Sequence, residues 1–261
     1  MLNLTADHLE RHGTLENYAG IKERLIAASD LAVVGQDDEH CRAMTARLTA
    51  SQVPTVTVSS RTNSTADIHF DGSGITVEAS DVHISLETIG SLRGWHNGQN
   101  AAAAFAACEA IGLSASEIEC GFKSFPGLEH RMEQVGHVGR VLFINDSKAT
   151  NAEAASPALA SFEKVFWIAG GLGKSGGIES LAPQFDRIEK AFFIGEAAGT
   201  FASQLSDTIP YEISGTLKQA VNHALAAAEK SNHPVVLLSP AAASFDQFPN
   251  FEKRGEAFKA E

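Results

Sequence analysis

Short apolar runs separated by helix-like segments are the feature that most constrains how this chain folds. Each run has four to six residues, and helical patterns separate most of them. Strands that alternate with helices favour a mostly parallel sheet that is covered on both faces. The sequence therefore predicts an α/β fold. The runs occupy residues 31–35, 53–58, 141–144, 165–169, 191–195 and 235–239.

Three longer segments, 14–28, 95–111 and 217–230, have the apolar spacing of helices. Thr14 is a candidate N-cap of the first helix. Between residues 61 and 91 the pattern changes to short alternating runs, which indicate antiparallel strands. Turns are expected there at Asp71-Gly72 and Ser80-Asp81. The apolar stripe predicted on the first helix consists of Leu15, Tyr18, Ile21 (or Lys22), Leu25 and Ile26.

The segment 114–127 resembles a helix followed by a junction, so we place a domain boundary near Gly127. We expect one domain over residues 1–127 and a second over residues 128–261. A strand is expected at 129–135, which would place Arg131 and Glu133 on one face and His130 on the other. A turn near 136–139 and a strand over 140–144 follow, and a regular βα alternation then continues along the chain.

The charge and cysteine content exclude some classes of protein. The formal net charge is −12 with no run of Lys or Arg, which disfavours nonspecific binding to nucleic acid or to anionic membranes. No apolar stretch is long enough to cross a bilayer, and no signal peptide is recognisable. Cys41, Cys108 and Cys120 form no C-x-x-C motif, so we expect reduced core thiols in a cytoplasmic protein.

Polar clusters follow three of the apolar runs: NDSKATN (145–151), GGLGKSGG (170–177) and SPAAASFDQF (239–248). A fourth cluster, TADH (5–8), follows the opening residues Met1–Leu4. Ligands of open α/β sheets bind beyond the carboxyl ends of the strands. Each cluster alone is explained as well by helix capping. Lys148 and Lys174 are harder to explain in that way, because a cation near a strand end suits phosphate or carboxylate. GGLGKSGG is not a Walker A loop, which needs G-x-x-x-x-G-K-[ST].

A separate set of polar residues opens the second helix. His96 and Asn97 can each neighbour Asn100, because residues three or four apart share a helix face. Two side-chain amides near the start of a helix offer the donors and acceptors that could hydrogen-bond to the edge of an adenine ring. Asn97 is also a candidate N-cap, and the set alone is weak evidence for a nucleotide site.

These clusters together resemble one family. DHLERHG, HNGQNAAAA, GLEHRMEQV, NDSKATN, GGLGKSGG, LSPAAASFDQF and RGEAF stand in the order and approximate spacing of the Mur ligases, and most closely of the branch that adds D-glutamate. The resemblance covers nearly the whole chain and is weak from about residue 37 to 91. It implies a C-terminal Rossmann-like domain with a mostly parallel sheet, and part of an α/β central ATPase domain.

The resemblance implies a role for twelve residues. His8 and Lys22 would be catalytic and bind magnesium, and Lys22 would do so as a carbamate, because a protonated amine cannot bind a cation. Residues that would contact the nucleotide are Asn97, Asn100, Arg131, Asp146 and Lys148. Residues that would form the D-glutamate pocket are Thr150, Lys174, Ser244, Phe245 and Phe251. Two departures from the family pattern, Leu172 and Ala242, affect no assigned role.

The implied reaction is a step of peptidoglycan precursor synthesis in the cytoplasm. ATP and Mg²⁺ would convert the carboxyl of UDP-N-acetylmuramoyl-L-alanine to an acyl phosphate, which D-glutamate attacks. The complete enzyme is expected to be a monomer. Because no G-x-x-x-x-G-K-[ST] occurs, we expect a C-terminal portion that lacks the UDP-binding domain and the P-loop and is inactive alone. We also expect residues 128–261 to be the more stable half.

Two alternatives stay open from the sequence. The chain could belong to a Mur or folylpolyglutamate-type ligase that adds a different amino acid. It could also be a noncatalytic Rossmann-like module that binds a dinucleotide through GGLGKSGG. The second class would carry G-x-G-x-x-G after its first strand and an acidic residue near the end of the next.

Overall fold

Two separate β-sheets organise the chain, each with helices packed against it. The computed structural model describes residues 1–5, 9–61, 64–205 and 207–261. It divides the chain into two compact units, Met1–Phe125 and Pro126–Glu261, called here the first and the second unit. The mixed α/β architecture confirms the predicted fold class.

The first unit contains a five-stranded sheet in the order β1-β2-β3-β4-β5. Strands β1 to β3 are parallel, and β3 to β5 form the antiparallel meander that the sequence predicts. The strands are β1 (Ala32–Gly35), β2 (Thr55–Ser59), β3 (Ile68–Phe70), β4 (Gly74–Val77) and β5 (His83–Ser85). The helices are α1 (Leu9–His12), α2 (Leu15–Ala27), α3 (Glu39–Ala50), α4 (Trp95–Ala110) and α5 (Ala115–Ser124).

Helix α4 packs closely on the sheet of the first unit. Its small residues Ala101 and Ala102 are buried, and Phe105 fills the space beside Ile68 and Ile75. Gly98 shows how close the approach is, because a Cβ added there would lie 2.2 Å from Cγ of Phe70.

Helix α2 differs from its prediction. Thr14 caps it by accepting a hydrogen bond from the backbone N–H of Asn17, as expected. The predicted stripe is only partly a core face. Leu15, Tyr18 and Ile26 pack against a small core cluster that includes Ala19, whereas Ile21 is 46% exposed and Leu25 is 80% exposed. Helical spacing shows which side chains share a face, but not whether another element covers that face.

The second unit contains a six-stranded sheet in the order β10-β9-β8-β11-β7-β6. Every strand pair is parallel except β6 with β7. The strands are β6 (Glu133–Val138), β7 (Val141–Asn145), β8 (Val165–Gly170), β9 (Ile188–Ile194), β10 (Tyr211–Gly215) and β11 (Val235–Leu238). The helices are α6 (Ala152–Ala160), a 3₁₀ helix (Glu179–Arg187), α7 (Ala198–Gln204), α8 (Leu217–Ala228) and α9 (Phe251–Ala260).

Two apolar clusters cover the two faces of this sheet. Trp167 and Phe193 belong to one cluster, and Ile168 and Phe192 belong to the other. Every residue of β8 is buried, as expected of a parallel strand covered on both sides. The sequence pattern located this core correctly.

The segment before β6 corrects the sequence prediction. Strand β6 begins at Glu133, not at residue 129. His130 and Met132 adopt left-handed conformations with φ of +62° and +49°, so the predicted alternation of faces does not apply. Glu133 does not pair with Arg131 as that alternation suggested; its Oε1 accepts a hydrogen bond from Lys259 Nζ at 2.9 Å.

The three cysteines are free, and only Cys41 is a buried core thiol as predicted, whereas Cys120 is exposed. Burial raises the pKa of Cys41 to about 12. In the described part of the chain, no helix has the length and hydrophobicity needed to cross a membrane.

Candidate functional site

The topology of the second unit brings three polar loops to one edge of the sheet. The loops follow β7, β8 and β11, and β11 lies between the other two parallel strands. The backbone joins them directly. Asp146 N donates to Leu238 O at 2.7 Å, and Leu172 and Ala243 exchange N–H···O bonds of 2.8 and 3.0 Å. The clusters NDSKATN, GGLGKSGG and SPAAASFDQF therefore form one continuous surface of the unit.

Asp146 is a buried carboxylate at the centre of this edge. Its Oδ2 accepts from Ser239 Oγ at 2.8 Å and its Oδ1 from Met132 N at 3.2 Å. Burial raises the pKa of Asp146 to about 7, and the two hydrogen bonds and the charge of Arg131 only partly oppose this effect. Buried ionisable groups with shifted pKa values are frequent at functional sites, and they also occur in structural networks.

Arg131 lies between the two left-handed residues, His130 and Met132, and is exposed. Left-handed conformations at residues other than glycine are unfavourable, so surrounding bonds must hold them in place. His130 is held through its backbone N–H, which donates to Glu133 Oε2 at 3.0 Å, and its carbonyl, which accepts from Lys148 N at 3.0 Å. These bonds hold the backbone on the N-terminal side of Arg131, whose side chain is exposed.

Lys148 lies over an aromatic ring of the same unit. Its Nζ is 4.4 Å from the centroid of the Phe251 ring, and that ring packs edge-on against His130. A cation over an aromatic face is stabilised without a carboxylate partner, and this contact leaves Lys148 able to interact with an anion as well.

The remaining predicted residues of the second unit lie on the same three loops. Thr150 immediately precedes Asn151, the N-cap of α6, and Ser244 is buried whereas Phe245 is 69% exposed. Lys174 is exposed and lines a pocket of about 240 Å³ together with Glu196 and Thr200. The structure thus places Thr150, Lys174 and Ser244 on loops that contact one another.

Arg254 is the residue that the sequence reasoning missed. It belongs to RGEAF, a motif noted without a role, and it is only 1% exposed. Its guanidinium donates to Ser147 Oγ and Ser147 O (3.0 and 2.9 Å), to Ala242 O (3.0 Å) and to Gly170 O (3.4 Å). One side chain therefore contacts all three loops. Burial lowers the pKa of Arg254 to about 10, so it stays charged at neutral pH.

In the first unit, the predicted nucleotide residues lie at the start of α4. Asn100 Nδ2 donates to Asn97 Oδ1 at 3.3 Å, which confirms that they share a face. Asn97 is not the N-cap, because the helix begins after Gly94 and Asn97 Nδ2 donates to Arg93 O at 2.9 Å. His96 Nδ1 is buried without a hydrogen-bond partner, and burial lowers the pKa of His96.

Of the two predicted magnesium ligands, His8 and Lys22, the structure describes only Lys22. His8 lies outside the described residues. Lys22 Nζ lies 4.8 Å from the centroid of the Tyr18 ring. Within the described ranges, no group of three or more His, Cys, Asp and Glu side chains could hold a metal ion. An unmodified Lys22 offers a nitrogen and no oxygen ligand, so the described residues do not by themselves fit Mg²⁺.

The glycine loop after β8 does not identify a dinucleotide site. Gly171, Gly173 and Gly176 do match the spacing G-x-G-x-x-G. The loop, however, follows the third strand of its unit and leads into the 3₁₀ helix Glu179–Arg187. A dinucleotide fingerprint follows the first strand and opens an α-helix whose N-terminus binds the pyrophosphate.

Comparison with known proteins identifies the family. Residues 1–108 match the Mur ligase middle domain and residues 130–242 match the Mur ligase glutamate ligase domain. The chain therefore belongs to the Mur ligase family.

Curated relatives with high identity are UDP-N-acetylmuramoylalanine–D-glutamate ligases. The protein of Rhizobium johnstonii is 55% identical over 263 residues, and that of Chelativorans sp. is 58% identical over 265 residues. Each alignment covers 99% of this chain but 56% of the relative. The chain thus spans little more than half the length of these relatives.

Solved structures of other Mur-type ligases share the fold. MurF ligase from Thermotoga maritima, solved in complex with ADP, aligns with a TM-score of 0.71 at 20% identity, over 100% of this chain and 61% of that one. Folylpolyglutamate synthase from Thermotoga maritima aligns with a TM-score of 0.61 at 16% identity, over 92% of this chain and 57% of that one. At such identities the similarity concerns the fold alone.

Proposed function

We propose that this chain supplies the D-glutamate-adding half of a ligase that makes a peptidoglycan precursor. In the complete enzyme, ATP would phosphorylate the carboxyl of UDP-N-acetylmuramoyl-L-alanine. The amine of D-glutamate would then attack the acyl carbon, the C–O bond to phosphate would break, and an amide would form. The observation that carries the proposal is the joining of three polar loops, with Lys148, Lys174 and Ser244, at one sheet edge. The 55% identity to D-glutamate ligases supports it.

The nucleotide side of the proposal rests on charge and hydrogen-bonding capacity. Asp146 is a carboxylate whose oxygens can accept hydrogen bonds from the two ribose hydroxyls. Arg131 and Lys148 supply cations for phosphate oxygens. In the first unit, Asn97 and Asn100 offer amides for the adenine. Because hydroxyl donors favour the ionised form of Asp146, nucleotide affinity should fall as the pH drops below about 7.

The D-glutamate side of the proposal uses the other two loops. Lys174 would pair with one carboxylate of the amino acid, and Ser244 with its neighbouring backbone would bind the second. The Thr150 hydroxyl would complete the polar contacts, and Phe245 and Phe251 would form apolar walls. These groups orient the amine, which is how a ligase without covalent catalysis lowers its barrier.

The metal and localisation assignments are also proposals. We propose that the complete enzyme uses Mg²⁺ bound by His8 and by Lys22 as its carbamate, and that it works as a cytoplasmic monomer. Carbamylation adds one CO₂ to Lys22, so it predicts a mass increase of about 44 Da and supplies the oxygen ligands that Mg²⁺ prefers. Mass spectrometry under non-acidic conditions, with Lys22→Arg as the control, tests this point.

The chain alone should neither hydrolyse ATP nor ligate. Its 261 residues contain no G-x-x-x-x-G-K-[ST], so no P-loop is present to cradle the phosphates. The test measures phosphate release by the purified chain with ATP, UDP-N-acetylmuramoyl-L-alanine and D-glutamate. Release that depends on both acceptor substrates would contradict this part of the proposal.

The amino-acid specificity is tested in a chimaera. The part of the Rhizobium johnstonii ligase that lies outside the matched region is joined to this chain, and ligation of D-glutamate, L-glutamate and L-alanine is compared. The proposal expects ligation of D-glutamate alone, with Lys174→Gln raising its KM. Preference for another amino acid would favour the alternative of a Mur or folylpolyglutamate-type ligase with a different substrate. Binding of a dinucleotide by the chain, without ligation by the chimaera, would favour the noncatalytic Rossmann-like module.

A further inference from the structure

We propose that Arg254 is a positioning residue that aligns the three loops carrying the D-glutamate-binding side chains. The inference rests on the proposed function, because the loops matter for catalysis only if they hold that substrate. Arg254 would not touch the substrate. It would instead fix the spacing between Thr150, Lys174 and Ser244 from beneath.

The hydrogen bonds of Arg254 reach each loop at a defined point. On the loop after β7 it contacts both oxygens of Ser147, three residues before Thr150. At the last residue of β8, where the next loop begins, it contacts Gly170 O, and on the loop after β11 it contacts Ala242 O, two residues before Ser244. A planar guanidinium with five N–H donors can make these contacts at once, whereas an ammonium cannot.

The loops after β8 and β11 pack so closely at Gly171 that there is no room for a side chain between them. A Cβ on Gly171 would lie 2.2 Å from Ala243 O and 3.1 Å from Arg254 Nη1. The paired bonds between Leu172 and Ala243 continue the contact toward Lys174 and Ser244. Displacement of one loop would therefore move the side chains of another.

The charge of Arg254 points to a role beyond stability. Each hydrogen bond that it donates goes to a carbonyl or hydroxyl oxygen, not to a carboxylate. The negative charge of Asp246 stabilises the buried guanidinium only in part, because burial still lowers the pKa of Arg254. Burying a cation is unfavourable, and an apolar side chain of similar size often stabilises a core as well. A cation beneath three loops also favours anions above them, and D-glutamate carries two carboxylates.

The next residue, Gly255, provides a matched comparison because it acts on the other side of α9. A Cβ at Gly255 would lie 2.2 Å from His130 Nδ1, and His130 holds the backbone of Lys148. Gly255→Ala should therefore disturb the nucleotide side, whereas substitutions of Arg254 should disturb the D-glutamate side.

The first experiment measures hydrogen exchange by NMR in this chain, for Arg254→Met, Arg254→Lys and a control, Phe258→Leu. Phe258 lies on the same helix, is buried, and packs against Phe143 instead of the loops. In both Arg254 variants, the amides of Leu172 and Ala243 should exchange about tenfold faster or more, while the strand amides of Ile168 and Leu237 stay protected. The control should leave the loop amides unchanged.

Three results would overturn the proposal. Loop amides that stay protected in Arg254→Met would show that the guanidinium does not hold them. Equal acceleration of loop and strand amides would show a purely structural role. Full protection in Arg254→Lys would show that a positive charge suffices and that the bonds to three loops are not needed.

The second experiment measures KM values in the chimaera described above. Arg254→Met should raise KM for D-glutamate by about tenfold or more with a smaller change for ATP, and Gly255→Ala should do the reverse. Equal changes of both constants in both variants would contradict the inference. A chimaera that ligates a different amino acid would contradict the proposed function instead, while the hydrogen-exchange result would still decide the role of Arg254.

Discussion

The two units of the chain differ in where they keep their polar groups. Among the described residues, Ser59 and Gln99 are the buried polar side chains of the first unit, whereas the second unit buries nine, including Asp146 and Arg254. In the second unit most of these groups gather where three loops meet at one sheet edge, whereas Ser214 lies in β10 and Ser231 follows α8. Buried polar groups of this kind are unfavourable unless fully hydrogen-bonded, and fully bonded networks fix one arrangement. The comparison indicates that the second unit gives up some apolar packing for a buried hydrogen-bonded network.

Each unit contains one of the two tryptophans, so the units can be observed separately. Trp167 is fully buried in the second unit, and Trp95 is 48% exposed in the first. Single-tryptophan variants, Trp95→Phe and Trp167→Phe, would report the unfolding of one unit at a time.

The largest expected effect concerns the core of the second unit. Phe193 is fully buried and contacts the rings of Trp167 and Phe201. Phe193→Ala should lower the free energy of unfolding by about 3–5 kcal/mol, since it leaves a cavity in a packed core. Urea denaturation followed by Trp167 fluorescence measures the loss. Phe245→Ala, at a site 69% exposed, is the control and should change stability by less than about 0.5 kcal/mol.

A second effect is the pH dependence of the second unit. The pKa of Asp146 is about 7 in the folded state, above the value of about 3.9 for an unfolded chain. The folded state therefore binds more protons between these values, and stability falls as the pH rises. The expected loss from this group is roughly 2 kcal/mol between pH 5 and pH 7.

Asp146→Asn is the control for that profile, because it keeps the shape of the side chain and removes the titration. The unfolding free energy of the native protein minus that of Asp146→Asn, measured with Trp167, should fall as the pH rises from 5 to 7. Parallel profiles for the native protein and Asp146→Asn would contradict the raised pKa. The profile of the first unit, followed with Trp95, should not depend on this substitution.

A smaller effect is expected in the core of the first unit. Gly98→Ala would place a Cβ 2.2 Å from the Phe70 ring, and such overpacking costs about 1–3 kcal/mol. Gly121→Ala is matched to it, because Gly121 is also helical but has no atom near its virtual Cβ. It should stabilise by up to about 1 kcal/mol. A shift of the same sign in both variants would disprove the close contact between α4 and the sheet.

The smallest effect is expected on α2. Leu25 is 80% exposed, so Leu25→Ala should change the stability of the first unit by less than about 0.5 kcal/mol. Leu48→Ala, at a residue only 2% exposed, should cost about 2–5 kcal/mol. Comparable losses in the two variants would show that the predicted stripe of α2 is covered after all.

Much of the fold was predictable because it depends on local spacing. Helices α2, α4 and α8 and the meander β3–β5 begin and end close to the predicted residues. The meeting of the three loops was also predictable in outline, since carboxyl ends of parallel strands share one edge. The resemblance to Mur ligases depended on the order and spacing of several motifs together, which no single motif reveals.

The features that were missed depend on residues far apart in the sequence. The left-handed conformations of His130 and Met132 have no local signature, because neither residue is glycine. The role of Arg254 depends on oxygens of Ser147 and Ala242, which come from different loops. The exposure of Leu25 depends on what covers a helix face, and spacing does not record that.

The position of β11 has a consequence for the order of events during translation. This strand is the last of its sheet to be made, yet it lies between β7 and β8. Until the ribosome has released it, the sheet exists only as two separate pieces, each with an unpaired edge that could pair with another nascent chain. Arg254 emerges later still. Slow elongation just before residue 235 would therefore prolong a stage in which two strand edges are unpaired.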